Sequence, residues 1–525
     1  MKSFWKKMLM MAAMGLSLSS THAFAYPPST QPKPFYMGVY LYDYQLERVA
    51  AEQHQDYFQF LETQLKALQA HGVNAVYWGS ADRGRFAREI KLFAQYGISI
   101  IPQLDFAYYN PKWTDAQMAS DAKAAADFIN QYAKEPNIIA FSVREEIPQS
   151  GVNGLARYYA AILALAPEAR FQLTNNNLGA ATDIPAPYPA IMGAELYAFW
   201  WEFYSSYLAT PGYSLDWVRQ EADRYYWQSV KRDADFSLVV TQGGAMMPAR
   251  ANEYAGDGPM TFPVTKEEQE KARQRVREFA AQGRMGWSEF DSPSGKRYNV
   301  WRYYRLPQNA MRALAWTAVL QGAKSVFVWS ASPLEKKNLE TDFKKAALAE
   351  KPAGWVTWTT LTGVHAGQAN PQFDEFAEAA REIHPYEDII PRMSRTKESL
   401  VQSDQKNIFH NSFALPKLQG RVVVIYNANI GTWPGGSAAT FKDSDDVRID
   451  DDGNLVGYKP FDQPLPVHFS LKNAAANAGV YDVKTGSSLT PTDSQYTVKI
   501  APGSGDIIFI GSQEEMHTLR QWMNQ

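Results

Sequence analysis

Val73-Asn74-Ala75-Val76-Tyr77-Trp78, a charged stretch over 82–95, Gly97, and then Ile98-Ser99-Ile100-Ile101-Pro102-Gln103-Leu104-Asp105-Phe106 decide the fold class. The two apolar runs have strand length, and the stretch between them has the length and spacing of an amphipathic helix. Gly97 ends that helix. Strand, helix and strand in this order form a βαβ unit, in which the strands run parallel.

The alternation continues in both directions. Upstream, 35–42 reads as a strand and 44–70 as one charged helical stretch, stopped by His71-Gly72. Downstream, Thr114-Asp115 opens an alanine-rich helix over 114–134, threonine being a good acceptor for the free N–H groups of a first turn. Strands follow at 137–143, 170–174, 191–197, 236–241 and 325–329, with helices at 154–165, 215–231, 265–282 and 308–321. Strands and helices in this number predict a (β/α)8 TIM barrel. The alternative, a doubly wound open sheet, calls for a glycine-rich turn after the first strand. Asp43-Tyr44-Gln45 stands there instead. The connection over 241–325 is long enough to carry a lid or an insertion above a site.

After Pro371 the pattern changes. Residues 373–395 read as helical, and short strands with turn residues follow at 421–426, 467–471, 479–483, 496–500 and 506–510. These predict a small antiparallel β-sandwich. The expected organisation is thus a barrel over 26–370, a helical connector over 371–415 and a sandwich over 416–525. Asp450-Asp451-Asp452-Gly453 lacks the spacing of an EF-hand loop and reads as a solvated turn.

The first 25 residues read as a cleavable signal peptide. Lys2, Lys6 and Lys7 precede an uncharged apolar stretch over 8–20, and Ala23-Phe24-Ala25 is a small-x-small cleavage site. The apolar run falls short of the roughly 20 residues that span a bilayer. A soluble periplasmic or secreted protein, with no membrane span and beginning near Tyr26, is expected. There is no Cys, hence no disulfide and no thiolate chemistry. The net charge is −3, and removing three lysines makes the remainder more acidic, which argues against nucleic acid as a partner. The eight His form no HxH or HExxH pair, and no GxGxxG or GxxxxGK[ST] occurs. Neither a metal site nor a nucleotide cofactor is expected.

Barrel active sites lie at the C-terminal ends of the strands. There the sequence places Asp105, then Arg144-Glu145-Glu146 before Ile147-Pro148, then Asn175, and then Glu195 in Gly193-Ala194-Glu195-Leu196-Tyr197. Charges in strands this apolar are costly unless paired or used chemically. Because side chains alternate along a strand, one of Glu145 and Glu146 is expected to face the mouth. The other is expected to lean outward, toward a base such as Arg144. Two carboxyls flanking a glycosidic bond suffice to cleave it, one giving a proton and the other attacking or activating water. Glu146, Glu195 and Glu145 are therefore the candidate catalytic residues. With 15 Trp, 29 Tyr and 27 Phe in the chain, aromatic rings at strand ends are candidates for stacking on sugar. Trp78, Tyr108, Tyr197, Trp200 and Trp329 are the candidates, with Asp105, Asn175 and Gln242 as binders of hydroxyls.

At these residues the chain resembles the clan A glycoside hydrolases, in particular the family 42 β-galactosidase-like barrels. The resemblance covers about 35–335. It implies Glu146, in Glu145-Glu146-Ile147-Pro148, as the acid/base. The stretch 190–197 resembles the group's sixth strand, and 312–329, with Gly322-Ala323-Lys324, resembles its passage into the eighth. Tyr481-Asp482-Val483-Lys484-Thr485-Gly486 and Pro502-Gly503 resemble its β domain. The group carries its nucleophile Glu at the end of strand seven, where this chain has Val239-Val240-Thr241-Gln242. Gln cannot be that nucleophile, so either Glu195 or Glu145, or more remotely Glu289 or Asp291, takes the role, or the mechanism is an inverting one with carboxylates from different strands. The reading that follows is an exported hydrolase of a poly- or oligosaccharide. A carbohydrate-binding protein without catalysis and a metal-dependent barrel enzyme are the alternatives.

Overall fold

The computed structural model describes residues 34–79, 81–176, 178–197, 211–241, 243–246, 288–291, 297–300, 302–329, 331, 371–432, 458–472 and 478–523. The strands Tyr36–Tyr42, Ala75–Gly79, Ser99–Pro102, Gln172–Asn175, Ile191–Glu195, Asp235–Thr241 and Ser325–Trp329 form one parallel sheet. Its order runs third, second, first, eighth, seventh, sixth, fifth in the expected barrel numbering. The gap between third and fifth is filled by the chain at 138–142. It bridges Ile100 and Gln103 on one side and Phe171 on the other, always in parallel. The ring is therefore closed, and the expected (β/α)8 barrel is what the chain forms.

Two apolar layers hold it. The outer one lies between strands and helices and takes in Val39, Leu41, Val76, Trp78, Phe86 and Phe93. The inner one fills the barrel with Tyr36, Tyr40, Tyr77, Ile101, Ile191, Val239 and Phe327. Strand residues two apart share a face, so Tyr36, Tyr40 and Tyr42 all turn inward while Val39 and Leu41 turn outward. That alternation aims the tyrosines of the first strand at the mouth.

Local chemistry explains the helices. Thr114 caps Asp115–Tyr132 through a capping box with Gln117. The stretch 44–70, expected as one helix, divides into Asp43–Glu52 and Tyr57–Ala70. Asp56 makes the break, because its carboxylate accepts from the N–H groups of Phe58 and Gln59 and so caps the second helix. Gly97, at φ +66°, ends Phe86–Gln95 in the left-handed conformation that glycine adopts without penalty.

Two sheets build the C-terminal region. One carries Ser394–Arg395, Ile408–Ala414, Arg421–Asn427, Gly505–Gly511 and Gly479–Asp482, and the other Val401–Gln402, Leu465–Leu471 and Tyr496–Ile500. Val423, Ile425, Val467, Phe469, Val498 and Ile508 share the core between them. This is the expected sandwich, but its first sheet reaches back into 371–415, where a helical connector was expected. Helix occupies Pro371–Ile383 there. The long connection after the seventh strand shows two short antiparallel pairs, Gly243–Met246 with Arg302–Arg305 and Ser288–Asp291 with Arg297–Val300. The expected signal peptide, most of the expected lid, and Asp450 to Gly453 lie outside the described residues.

Candidate active site

The fourth barrel segment carries the site, and its rim is pinned on three sides. Glu145 N–H donates to the Tyr108 hydroxyl at 2.9 Å. Glu146 N–H donates to Thr174 O at 2.9 Å. The Asn175 amide donates to Ile147 O at 3.1 Å. Val143 and Ile147 are buried at either end of the two glutamates, so the apolar residues anchor the loop and leave the acids at the mouth.

Glu146 sits at φ 48°, in the left-handed region. A residue with a Cβ pays about 1–3 kcal/mol to stay there. Its effect on direction matters more than the cost. A left-handed residue breaks the strand's alternation, so Glu146 does not lean away from Glu145. Both glutamates act on Glu195 of the sixth strand, their charges raising its carboxyl. The Asn176 amide donates to Glu146 Oε1 at 2.8 Å. The expected outward ion pair with Arg144 is not formed. The Arg144 guanidinium lies 5.0 Å over the Tyr108 ring instead.

Glu145 is half-buried, whereas Glu146 is exposed. The Tyr40 hydroxyl donates to Glu145 Oε1 at 2.9 Å. Burial pushes the Glu145 carboxyl up to about 7, and the neighbouring charge of Glu146 adds to the rise while the Tyr40 hydroxyl opposes it. Burial also drives Glu195 well above the ordinary carboxylate range, with the charges of Glu146 and Glu145 adding to it and a hydrogen bond from Tyr197 opposing it. The mouth thus holds two carboxyls that keep protons to unusually high pH, with the exposed Glu146 acting on both by its charge. Such environments suit proton donation and nucleophilic attack near neutrality.

The other sequence candidates divide. Tyr197 and Trp329 are brought together, their rings stacked at 5.9 Å and 23°, and Trp329 Nε1 donates to the Tyr42 hydroxyl at 3.2 Å. Tyr108 braces Glu145. Asp105 stands in a 3-10 turn, Asp105–Ala107, just past the third strand. It is exposed, takes a 2.7 Å hydrogen bond from Gln103 and raises Glu145 by its charge. Trp78 does not face the mouth. It is wholly buried on the outer face of the second strand, edge-on to Phe93, with its N–H on Glu89. Asn175 is also buried, and its amide is a strut to Ile147. Trp200 and Gln242 lie outside the described residues, as do the side chains of Glu289 and Asp291. Thr241 is the last described residue of the seventh strand.

Sequence reasoning missed Tyr40, Tyr42, Tyr77 and Asn176. For the tyrosines a signal was present. Tyr36, Tyr40 and Tyr42 occur at even spacing in a strand, which marks one face. Asn176 carried no signal, since nothing in Asn175-Asn176-Asn177 tells which amide turns toward Glu146. Among the described residues no group of His, Cys, Asp and Glu is arranged to hold a metal ion, and no helix is long and apolar enough to cross a membrane.

No family model matches the chain, and no curated protein matches it. Solved structures similar to it include a glycoside hydrolase family 30 subfamily 8 xylanase from Clostridium acetobutylicum. That match has a TM-score of 0.38 and 9% identity, and covers 91% of this chain and 96% of that one. The alpha-fucosidase of Thermotoga maritima in complex with fucose gives 0.39 and 8%, covering 91% and 95%. The alpha-amylase of Geobacillus thermoleovorans complexed with acarbose gives 0.41 and 7%, covering 86% and 91%. These neighbours are glycoside hydrolases. Membership of family 42 is not shown by them.

Proposed function

We propose that the protein is an exported glycoside hydrolase acting on an extracytoplasmic poly- or oligosaccharide. The observation that carries the reading is the meeting of Glu145, Glu146 and Glu195, from two strands, at the C-terminal mouth of a closed barrel. Hydrolysis of a glycosidic bond needs a proton donor and an ionised carboxylate about 5–5.5 Å apart in retaining enzymes and about 6.5–9.5 Å in inverting ones. The environments of the three carboxyls divide the labour. Glu195, kept protonated by burial and by the charges of Glu146 and Glu145, is the proton donor. The Asn176 amide N–H donates to Glu146 Oε1 and holds that carboxyl in place. Glu195 protonates the leaving oxygen. Glu145, whose anion the Tyr40 hydroxyl stabilises, is the attacking or water-activating carboxylate. The stacked Tyr197 and Trp329 rings offer a face for a sugar ring. The signal-peptide-like pattern of residues 1–25, three lysines before an uncharged apolar stretch and Ala23-Phe24-Ala25, supports the extracytoplasmic location.

The test is release of reducing ends from a panel of neutral, acidic and amino oligosaccharides. Glu195→Gln and Glu145→Gln should each lower turnover at least about 100-fold while the circular dichroism spectrum is unchanged. Azide added to Glu145→Ala should restore turnover as a glycosyl azide if Glu145 is a nucleophile. Glycan binding with no release by the wild type would make the protein a binder and overturn the reading.

A further inference from the structure

The tyrosines of the first strand do more than fill the barrel. We propose that Tyr40 is a positioning residue for Glu145, the end of a buried donor chain that starts at Gln172 and passes through Thr174. This rests on the hydrolase reading for its consequence, but not for its geometry.

The direction of the chain follows from proton counting. Gln172 Nε2 lies 3.1 Å from Thr174 Oγ1. Tyr40 gives its one proton to Glu145 Oε1, at 2.9 Å. It can therefore only accept from Thr174, whose hydroxyl lies 3.3 Å away and takes the Gln172 N–H on its own oxygen. Every proton points toward the carboxylate. Hydrogen bonds in series polarise one another, most strongly away from water, and Gln172, Thr174 and Tyr40 are all buried.

The ring is fixed as well as the hydroxyl. Tyr40 stacks on Tyr77 at 4.2 Å and 18°, and meets Phe327 edge-on at 6.2 Å. A hydroxyl on a clamped ring holds the carboxylate to one orientation. The other groups that act on Glu145 are Tyr42 from the first strand, Tyr77 from the second, and Asp105 and Tyr108 past the third. Glu146 beside it, and Glu195 and Tyr197 from the sixth strand, complete the set. Tyr40 donates to Glu145 at 2.9 Å.

The experiment is the pH dependence of kcat/KM in Tyr40→Phe, which keeps the ring and its stack and removes only the donor. Losing a charge-assisted hydrogen bond should move the acidic limb up by about one unit. At pH 6 this is a loss of about tenfold, with KM little changed. Thr174→Val, which leaves both rings in place, should move the limb the same way by less. A limb that stays put in both variants overturns the proposal, whatever happens to overall rate. The Glu145 carboxyl can also be titrated directly in glutamate labelled with carbon-13 at Cδ, with Glu145→Gln to assign it. A shift between wild type and Tyr40→Phe in a protein that cleaves no glycan would sustain this inference and sink the hydrolase reading. No shift would sink the inference alone.

Discussion

Glu89→Gln should be nearly harmless in acid and should remove part of the protein's pH sensitivity. Glu89 is wholly buried against Trp78 and Tyr57. The Tyr57 hydroxyl lies 2.5 Å from Asp43 Oδ1 and 2.8 Å from Glu89 Oε1. A phenol has one proton and cannot donate to both, so one carboxyl must be an acid that donates back. Arg85 donates to both oxygens of Asp43, at 3.0 and 2.9 Å, and pairs with Glu47 at 2.7 Å. Its hydrogen bonds all go to those two, and Glu89, 3.6 Å from Arg85 Nε and without a hydrogen bond from it, is the acid left over. Burial pushes it up to about 8, with the charge of Asp43 adding to the rise. A carboxamide copies a neutral carboxyl: its NH2 donates to Tyr57 and its oxygen accepts from Trp78. The cost at pH 5 should be about 1 kcal/mol or less. The pH dependence has a definite sign. Between the unfolded value near 4.5 and about 8 the folded chain holds a proton that the unfolded chain has released. Wild-type stability therefore falls by about 1.4 kcal/mol per pH unit over that range from this residue. The variant lacks this slope, so its stability relative to wild type should improve as pH rises from 5 to 8. Urea unfolding of both proteins at pH 5, 6.5 and 8, followed by fluorescence, reads the difference. A loss of about 3–5 kcal/mol at every pH is what removing one partner of a buried ion pair produces, and it would refute the proton count.

Further outcomes follow from the same geometry. The pH profile of kcat/KM should rise through about 7, because Glu145 must ionise, and fall at higher pH as Glu195 loses its proton; a profile flat from pH 5 to 8 would contradict the division of roles. Trp329→Ala should raise KM about tenfold with little change in kcat, since it removes a stacking face and no proton; steady-state kinetics separate the two. Glu146→Asn should raise thermal stability by about 1 kcal/mol while hydrolysis falls at least about 100-fold. Asparagine tolerates the left-handed backbone better and carries no charge beside Glu195, so a lower melting temperature at pH 8 would count against the strain and repulsion described here.

The barrel was legible because its signal is repetitive. Eight apolar runs of strand length, separated by helical stretches, admit few topologies, and errors of a few residues at each end do not change the ring. Glu145, Glu146 and Glu195 were legible because a charge in an apolar strand needs a reason. The assignment of faces was not. Strict alternation sends Glu145 and Glu146 to opposite sides, and only the left-handed φ of Glu146, which no residue type announces, brings them together. Trp78 misled for the opposite reason. It stands near a strand end, but the strand's parity turns it outward. Tyr77, one residue earlier, is the ring inside the barrel.

Activity and stability are set against one another along the pH axis. Glu89 at about 8, Glu145 and Glu375 at about 7, and Asp506 at about 6 are all raised chiefly by burial. Each keeps a proton on folding that the unfolded chain gives up above about 4.5 for the glutamates and 3.8 for Asp506, so each makes the fold less stable as pH rises toward its own value. His410, which burial lowers, counts the other way in the range below 6.5, and Lys324, lowered to about 8, does so only above that value. Among the described residues the raised carboxyls outnumber these, so the fold should be firmest in mild acid. The chemistry assigned to Glu145 needs its anion, and hence a pH near or above 7. A carboxyl drawn deep enough into the barrel mouth to be a reactive anion is one whose ionisation works against folding. The Tyr40 hydroxyl lessens that conflict, because it stabilises the anion without opening the mouth to water.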